Sequence, residues 1–176
     1  MRIADYIIKY INEVLQVDTI FLVTGGGAMF LNDAIGQNKN IKYICCHHEQ
    51  AAAFAASAYS RYTGKLGVCC VTTGCGGTNV VTPVLGAYQD RIPMLIISGQ
   101  VKIKECSCFK DTPIRQLGVQ EADIIKLVEP ITVYRDTVLA ANTVKFDLDS
   151  ASFMAFHLQG PAWLDVPIDV QGAEID

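Results

Sequence analysis

The chain has 176 residues, 51% of them hydrophobic and 18% charged, and carries a net charge of -4. This length supports one compact domain with a sizeable core, and an acidic balance without a Lys/Arg run argues against a nucleic-acid partner. No apolar run reaches membrane-spanning length, and the start, Met1-Arg2-Ile3-Ala4-Asp5-Tyr6, is charged too early for a signal peptide. Seven cysteines are an odd number, and two adjacent pairs, Cys45-Cys46 and Cys69-Cys70, lie within strand-like runs. Neighbours on a strand face opposite ways, so both pairs read as small buried hydrophobes in a reducing cytoplasm, not as a disulfide framework. The apolar composition also predicts a surface covered by another subunit or domain.

In chain order, Ile3, Ile7, Ile11 and Val14 at helical spacing predict an amphipathic helix. Asp18 to Val23 is a short apolar strand ending at Thr24-Gly25-Gly26-Gly27, and Ala28 to Ile35 reads as a helix closed by Gly36. A strand at Ile41–Cys46 leads through His47-His48 into an alanine-rich helix from Glu49 to Arg61, closed by Thr63-Gly64. Leu66 to Val71 is a third strand, followed by Thr72-Thr73-Gly74-Cys75-Gly76-Gly77-Thr78-Asn79, a helix from about Val80 to Tyr88, and a fourth strand over Ile92–Ser98. Val101 to Leu117, with Cys106, Cys108 and Pro113, reads as a long irregular connection. A helical turn at Gln120–Ile125, a strand at Ile131–Tyr134, a helix from Asp136 to about His157 and a strand at Ala162–Val166 complete the pattern. The expected fold is three-layer α/β: a six-stranded, mostly parallel sheet with helices on both faces, in a single domain over 1–176.

Ligands of an open parallel sheet sit beyond the carboxyl ends of its strands, which singles out Thr24–Gly27, Cys46–Glu49 and Thr72–Asn79. The triple glycine lacks the third glycine of a dinucleotide fingerprint, and no acid ends the next strand. No phosphate-binding glycine-lysine-serine/threonine, metal-ligand spacing or Gly-x-Ser-x-Gly elbow occurs, so no metal site is expected. Glu49 has two readings. It is a surface acid favoured by a helix N-terminus, or, sharing a face with Ala53, Ala56 and Ser60, a poorly solvated carboxyl able to share its proton beside a smooth wall that another backbone approaches. Thr72–Asn79 likewise reads either as a tight turn with Thr78 or Asn79 capping the next helix, or as a glycine loop admitting a ligand.

Seven ordered strings carry a resemblance: His48-Glu49-Gln50-Ala51-Ala52, Ala58-Tyr59-Ser60-Arg61-Tyr62-Thr63-Gly64-Lys65, Thr72 to Asn79, Ala87-Tyr88-Gln89-Asp90-Arg91-Ile92-Pro93, Ser98-Gly99-Gln100, Gln120-Glu121-Ala122-Asp123, and Gly160-Pro161-Ala162-Trp163-Leu164-Asp165-Val166-Pro167. Together they resemble the N-terminal pyrimidine-binding domain of the thiamine-diphosphate enzymes, in the acetolactate synthase-like branch. The resemblance implies that Glu49 hydrogen-bonds a ring nitrogen of the cofactor's aminopyrimidine and promotes formation of the reactive carbanion. It implies that Gly25, Gly26, Gly27, Thr73, Gly74, Cys75, Gly76 and Asn79 line the cofactor cleft, and that Gln120 lies on the substrate side. It further implies a 2-keto acid substrate and a homodimer or homotetramer. Thiamine diphosphate would be gripped, with Mg2+, by the diphosphate-binding domain of another subunit.

The sequence departs from the family at Cys75, where proline is usual. Acetolactate synthases carry phenylalanine at the position of Val119 and lysine at that of Ile168. The diphosphate-binding domain, with its Gly-Asp-Gly motif, does not occur before Asp176, so the expectation is an excised domain of a longer enzyme or one chain of a split one, inactive alone. A non-catalytic assembly module, pairing through the alanine helix, is the alternative.

Overall fold

Runs that are apolar on both faces have no side to show to water, so they collect in the middle of a covered sheet. In the computed structural model, which describes residues 1–111 and 114–175, six strands form such a sheet: β1 (Thr19–Leu22), β2 (Lys42–Cys45), β3 (Gly67–Val71), β4 (Met94–Gln100), β5 (Tyr134–Thr137) and β6 (Pro161–Pro167). Every pairing is parallel, in the order β2-β1-β3-β4-β6-β5. Alternation along each strand divides the core. Ile20, Leu22, Val68, Cys70, Leu95, Ile97, Leu164 and Val166 face one layer; Phe21, Cys69, Val71, Met94, Ile96 and Trp163 face the other.

The first layer is built by α1 (Ile3–Glu13), α2 (Met29–Gln37), α7 (Val144–His157) and the short α8 (Ile168–Gln171). The second is built by α3 (Glu49–Thr63), α5 (Val81–Gln89) and α6 (Ile124–Val128), with the single turn α4 (Cys75–Asn79) between α3 and α5. The ends of the chain lie side by side: Ile175 N–H donates to Met1 O (2.9 Å) and Ile3 N–H to Ala173 O (2.8 Å).

The small side chains of α3 have an intramolecular purpose. Ala53, Ala56 and Ser60 are buried, and a Cβ on Gly67 of β3 would overlap the carbonyl oxygen of Ala56. The smooth wall predicted for another backbone is therefore occupied by this chain's own sheet. The helix is stopped by Gly64, left-handed at φ 71, and started by His48, whose Nδ1 accepts from Gln50 N–H, a cap that the sequence reading overlooked.

Other expectations need correction. Helix α2 runs past Gly36 to Gln37 and ends at the extended Asn38. Thr78 and Asn79 lie inside α4 and cap nothing. The turn expected over Gln120–Ile125 begins only at Ile124, where Asp123 accepts from Lys126 N–H. The strand expected over Ile131–Tyr134 starts at Tyr134, because Glu129–Ile131 forms a single 3-10 turn with Pro130 in it. Asp136 does not cap a long helix: it lies in β5 and accepts from the next N–H, of Thr137, and α7 begins at Val144. Just past β5, Val138 is fully buried and its N–H donates to Asp165 O. Cys69 and Cys70 are buried as expected, but Cys45 is exposed because β2 is an edge strand. Among the described residues all seven cysteines are free. The connection after β4 is irregular, with single 3-10 turns at Ile103–Glu105 and Ser107–Phe109; Pro113, read as part of it, lies outside the described residues.

Candidate functional site

The chain passes from β1 outward to β2 and then returns to the far side of β1 as β3. The loops leaving β1 and β3 therefore diverge, and a crevice opens beyond their carboxyl ends. A cleft of about 450 Å³ lies there, lined by Gly25, Gly26, Gly27, Thr72, Thr73 and, from much later in the chain, Gln120. A second cavity, of about 360 Å³, lies at the amino ends of the strands beside Arg61 and Arg91. There α3, α5 and α7 all end, and basic side chains serve to offset the helix dipoles.

The glycine loop after β1 is gripped from three sides. Gly27 N–H donates to Thr72 Oγ1 (3.0 Å), Gln171 Nε2 donates to Gly27 O (2.7 Å), and Asn32 Nδ2 reaches Gly25 O (3.4 Å). The loop after β3 is locked against the Gln120 segment. Gly74 has φ +58, and a Cβ there would overlap the Gln120 carbonyl, so glycine is required twice over. Gln120 itself is left-handed at φ 57, a conformation held against its own preference by this packing.

Glu49 stands at the first position of α3, half-buried. Its Oε2 accepts from Asn79 Nδ2 (2.8 Å). Its Oε1 faces Gly76, where a Cβ would lie 3.7 Å away, so the missing side chain leaves that oxygen uncovered. The same Cβ would press Thr72 Cγ2 at 2.8 Å, so Gly76 sits against the residue whose hydroxyl holds Gly27. The predicted residues thus fall into two adjoining groups: Gly25, Gly26, Gly27, Thr73 and Gln120 on the cleft, and Glu49, Gly76 and Asn79 beside it. Gly74 fixes the Gln120 segment; Cys75 is exposed at the start of α4 and lines no part of the cleft.

Below the cleft runs a buried polar chain that the sequence reading did not pick out. Thr73 Oγ1 donates to Gln100 Oε1 (2.5 Å), which also accepts from Val101 N–H (3.0 Å). Gln100 Nε2 donates to Ala122 O and to Asp165 Oδ2, both at 3.0 Å. Ser98 Oγ donates to Asp165 Oδ1 and receives Trp163 Nε1–H (2.8 Å). One amide thereby ties the loop after β3, the end of β4 and the segment carrying Gln120. Burial pushes the Asp165 carboxyl up to about 7, against the hydrogen bonds from Ser98 and Gln100, with the negative Asp123 adding to the rise. In the segment that carries Gln120, Glu121 accepts from Ser107 N–H (2.8 Å) and Leu117 N–H (2.7 Å). Burial opposes its charge, but these donors prevail and hold its carboxyl below the usual range. The available signal was polar Ser98, Gln100 and Asp165 in otherwise apolar strands, with Ser98 and Asp165 in register across β4 and β6.

Around Glu49 the structure brings together one carboxyl oxygen held by Asn79, glycine main chain beside the other, and an adjoining cleft, an arrangement able to exchange a hydrogen bond with a bound ligand. Among the described residues, no group of three or more His, Cys, Asp or Glu side chains is arranged to hold a metal ion, and no helix is long and apolar enough to cross a membrane.

The sequence profile described as "Thiamine pyrophosphate enzyme, N-terminal TPP binding domain" matches residues 1–127. The acetolactate synthase large subunit of Corynebacterium glutamicum is 36% identical over 178 residues, covering 98% of this chain and 26% of that protein. The chloroplastic acetolactate synthase of Arabidopsis thaliana is 32% identical over 172 residues, covering 96% and 24%. The acetolactate synthase large subunit of Lactococcus lactis is 36% identical over 162 residues, covering 92% and 27%. The chain spans about a quarter of the length of these relatives. With the fold, the crevice at the carboxyl ends of its strands and this similarity in agreement, the chain belongs to the family of N-terminal, thiamine-diphosphate-binding domains of thiamine-diphosphate enzymes, in its acetolactate synthase-like branch.

Proposed function

We propose that the chain is the pyrimidine-binding half of a thiamine-diphosphate-dependent lyase or transferase acting on a 2-keto acid, and that Glu49 activates the cofactor. The observation that carries this reading is the setting of Glu49. It starts a helix at the carboxyl ends of the strands, with Oε2 engaged by Asn79 and Oε1 left open over Gly76. Thiamine diphosphate, held with its aminopyrimidine against Glu49 and the glycine loops, would supply the carbanion chemistry. Glu49 holds a proton toward a ring nitrogen of its aminopyrimidine, and Asn79 keeps the carboxyl from rotating away. The glycine loops bring main chain against the ring, and Gln120 faces the substrate.

The charged end of the cofactor, with Mg2+, falls to a diphosphate-binding domain of another subunit in a homodimer or homotetramer. The outer side of α3 and α5 supports such a contact: Phe54, Leu85 and Tyr88 are 51%, 40% and 42% exposed. The same surface is what a non-catalytic assembly module would use, now through the outer face of α3 and not its buried alanines.

Glu49→Gln in the complete enzyme is expected to abolish turnover while circular dichroism and oligomeric state stay as in the wild type; near-normal turnover would overturn the reading. A dimer that never contributes to thiamine diphosphate binding, even with its partner domain present, would favour the assembly module. A Gly-Asp-Gly motif encoded after Asp176 would identify an excised domain, and its occurrence on a separate chain a split enzyme.

A further inference from the structure

Lys102 follows the buried Gln100 and Val101 at the carboxyl end of β4. Its main chain is fixed on both sides. Lys102 O accepts from Glu105 N–H (2.7 Å) and from Cys106 Sγ (3.4 Å), and the next N–H, of Ile103, donates to both oxygens of Asp169 (3.2 and 3.3 Å). Asp169 is the neighbour of Ile168, so the carboxylate that pins Ile103 also brings Lys102 and Ile168 to one cleft. The Lys102 side chain is exposed and makes no ion pair among the described residues. It is the one lysine or arginine among the described residues that line the cleft; Gln120 and the glycine loop lie with it, and Val119 and Ile168 give apolar surface. A rigid base carrying an unpaired flexible cation is the arrangement of an anchor for an anion that comes and goes.

We propose that Lys102 is a specificity-determining residue: its ammonium group holds the carboxylate of the 2-keto acid at the mouth of the cleft, while Ile168 and Val119 receive the carbon chain. This rests on the functional reading above. Glu105 lines the same rim, and its negative charge disfavours a second carboxylate, so the ligand class is a monocarboxylic 2-keto acid. Lysine is suited to the task because its point charge follows a mobile ligand, whereas the surrounding main chain supplies the fixed geometry.

The test uses the complete enzyme with Lys102→Met and Lys102→Arg. A charge-assisted contact of this kind predicts a rise of about tenfold in KM for pyruvate in Lys102→Met, with a much smaller change in kcat, and near wild-type values in Lys102→Arg. Binding of oxamate, an unreactive analogue of the keto-acid anion, weakens in parallel by calorimetry, whereas KM for an uncharged aldehyde acceptor does not change. An unchanged pyruvate KM and oxamate affinity in Lys102→Met would overturn the assignment, as would an equal rise for the aldehyde. Wild-type enzyme that turned over no 2-keto acid would defeat the functional reading, and this inference with it.

Discussion

The carbonyl of Gln120 occupies the space in which a side chain on Gly74 would begin, and both residues are left-handed, at φ 57 and +58. Two loops far apart in the chain are in this way fitted to each other through bare main chain. Gly74→Ala adds both a left-handed alanine and an overlap with a fixed carbonyl. It is expected to cost more than about 2 kcal/mol, read as a lower denaturant midpoint, and, with Gln120 on the substrate side as proposed above, to weaken substrate binding in the complete enzyme. An unchanged midpoint would mean that this contact is looser than described.

The raised Asp165 carboxyl, at about 7, predicts a pH dependence of stability. Its ordinary value is near 3.8, so between about pH 4 and pH 7 the folded chain keeps a proton that the unfolded chain releases. Stability from this group is therefore full below that window, falls as pH rises through it, and levels off above about 7, with a slope of at most about 1.4 kcal/mol per pH unit. Subtracting the curve of Asp165→Asn from that of the wild type isolates the effect. A difference that rises or stays flat across the window would refute it.

Glu121 behaves in the opposite sense. Its carboxyl is held below the ordinary range by the N–H groups of Ser107 and Leu117. Its contribution is present above the ordinary glutamate range and is lost as pH falls through the lowered folded value. Glu121→Gln keeps one acceptor but loses the charge, and should speed limited proteolysis within 107–117 with little change at the sheet. Equal cleavage rates in variant and wild type at neutral pH would count against the clasp.

Gly67→Ala tests the alanine helix. The new methyl group meets the carbonyl of Ala56, so α3 must lift from β3 at a cost of about 1–3 kcal/mol. Because Glu49 begins the same helix, thiamine diphosphate affinity in the complete enzyme should fall as well. A destabilised variant with unaltered cofactor binding would show that the start of α3 is held independently of its middle.

Much of the fold was legible because the central strands of a covered parallel sheet have no polar face: β1, β3, β4 and β6 are short runs dominated by apolar residues. What failed had local causes. β5 is an edge strand of mixed polarity, and Tyr134-Arg135-Asp136-Thr137 contains no run of hydrophobes, so the reading at Asp136 passed to a helix. Glu49, Asn79 and the glycine loops stood out by residue type and position. Gln100 and Asp165 did not, because their significance lies in a pairing of β4 with β6 that only the folded register creates. Lys102 was one of three lysines in an irregular segment, and what sets it apart is its place on the cleft, beside an Ile103 that Asp169 holds.

The hydrogen-bonded pairing of Met1 with Ile175 brings residues from opposite extremes of the domain within reach of a short connection. A short bridge from Ile175 to Met1 in an isolated copy of this domain, with new termini opened at the exposed Lys39-Asn40 turn, would preserve every strand pairing. Circular permutants of this kind would let a fluorescent or affinity tag be moved to the far side of the sheet without touching the crevice.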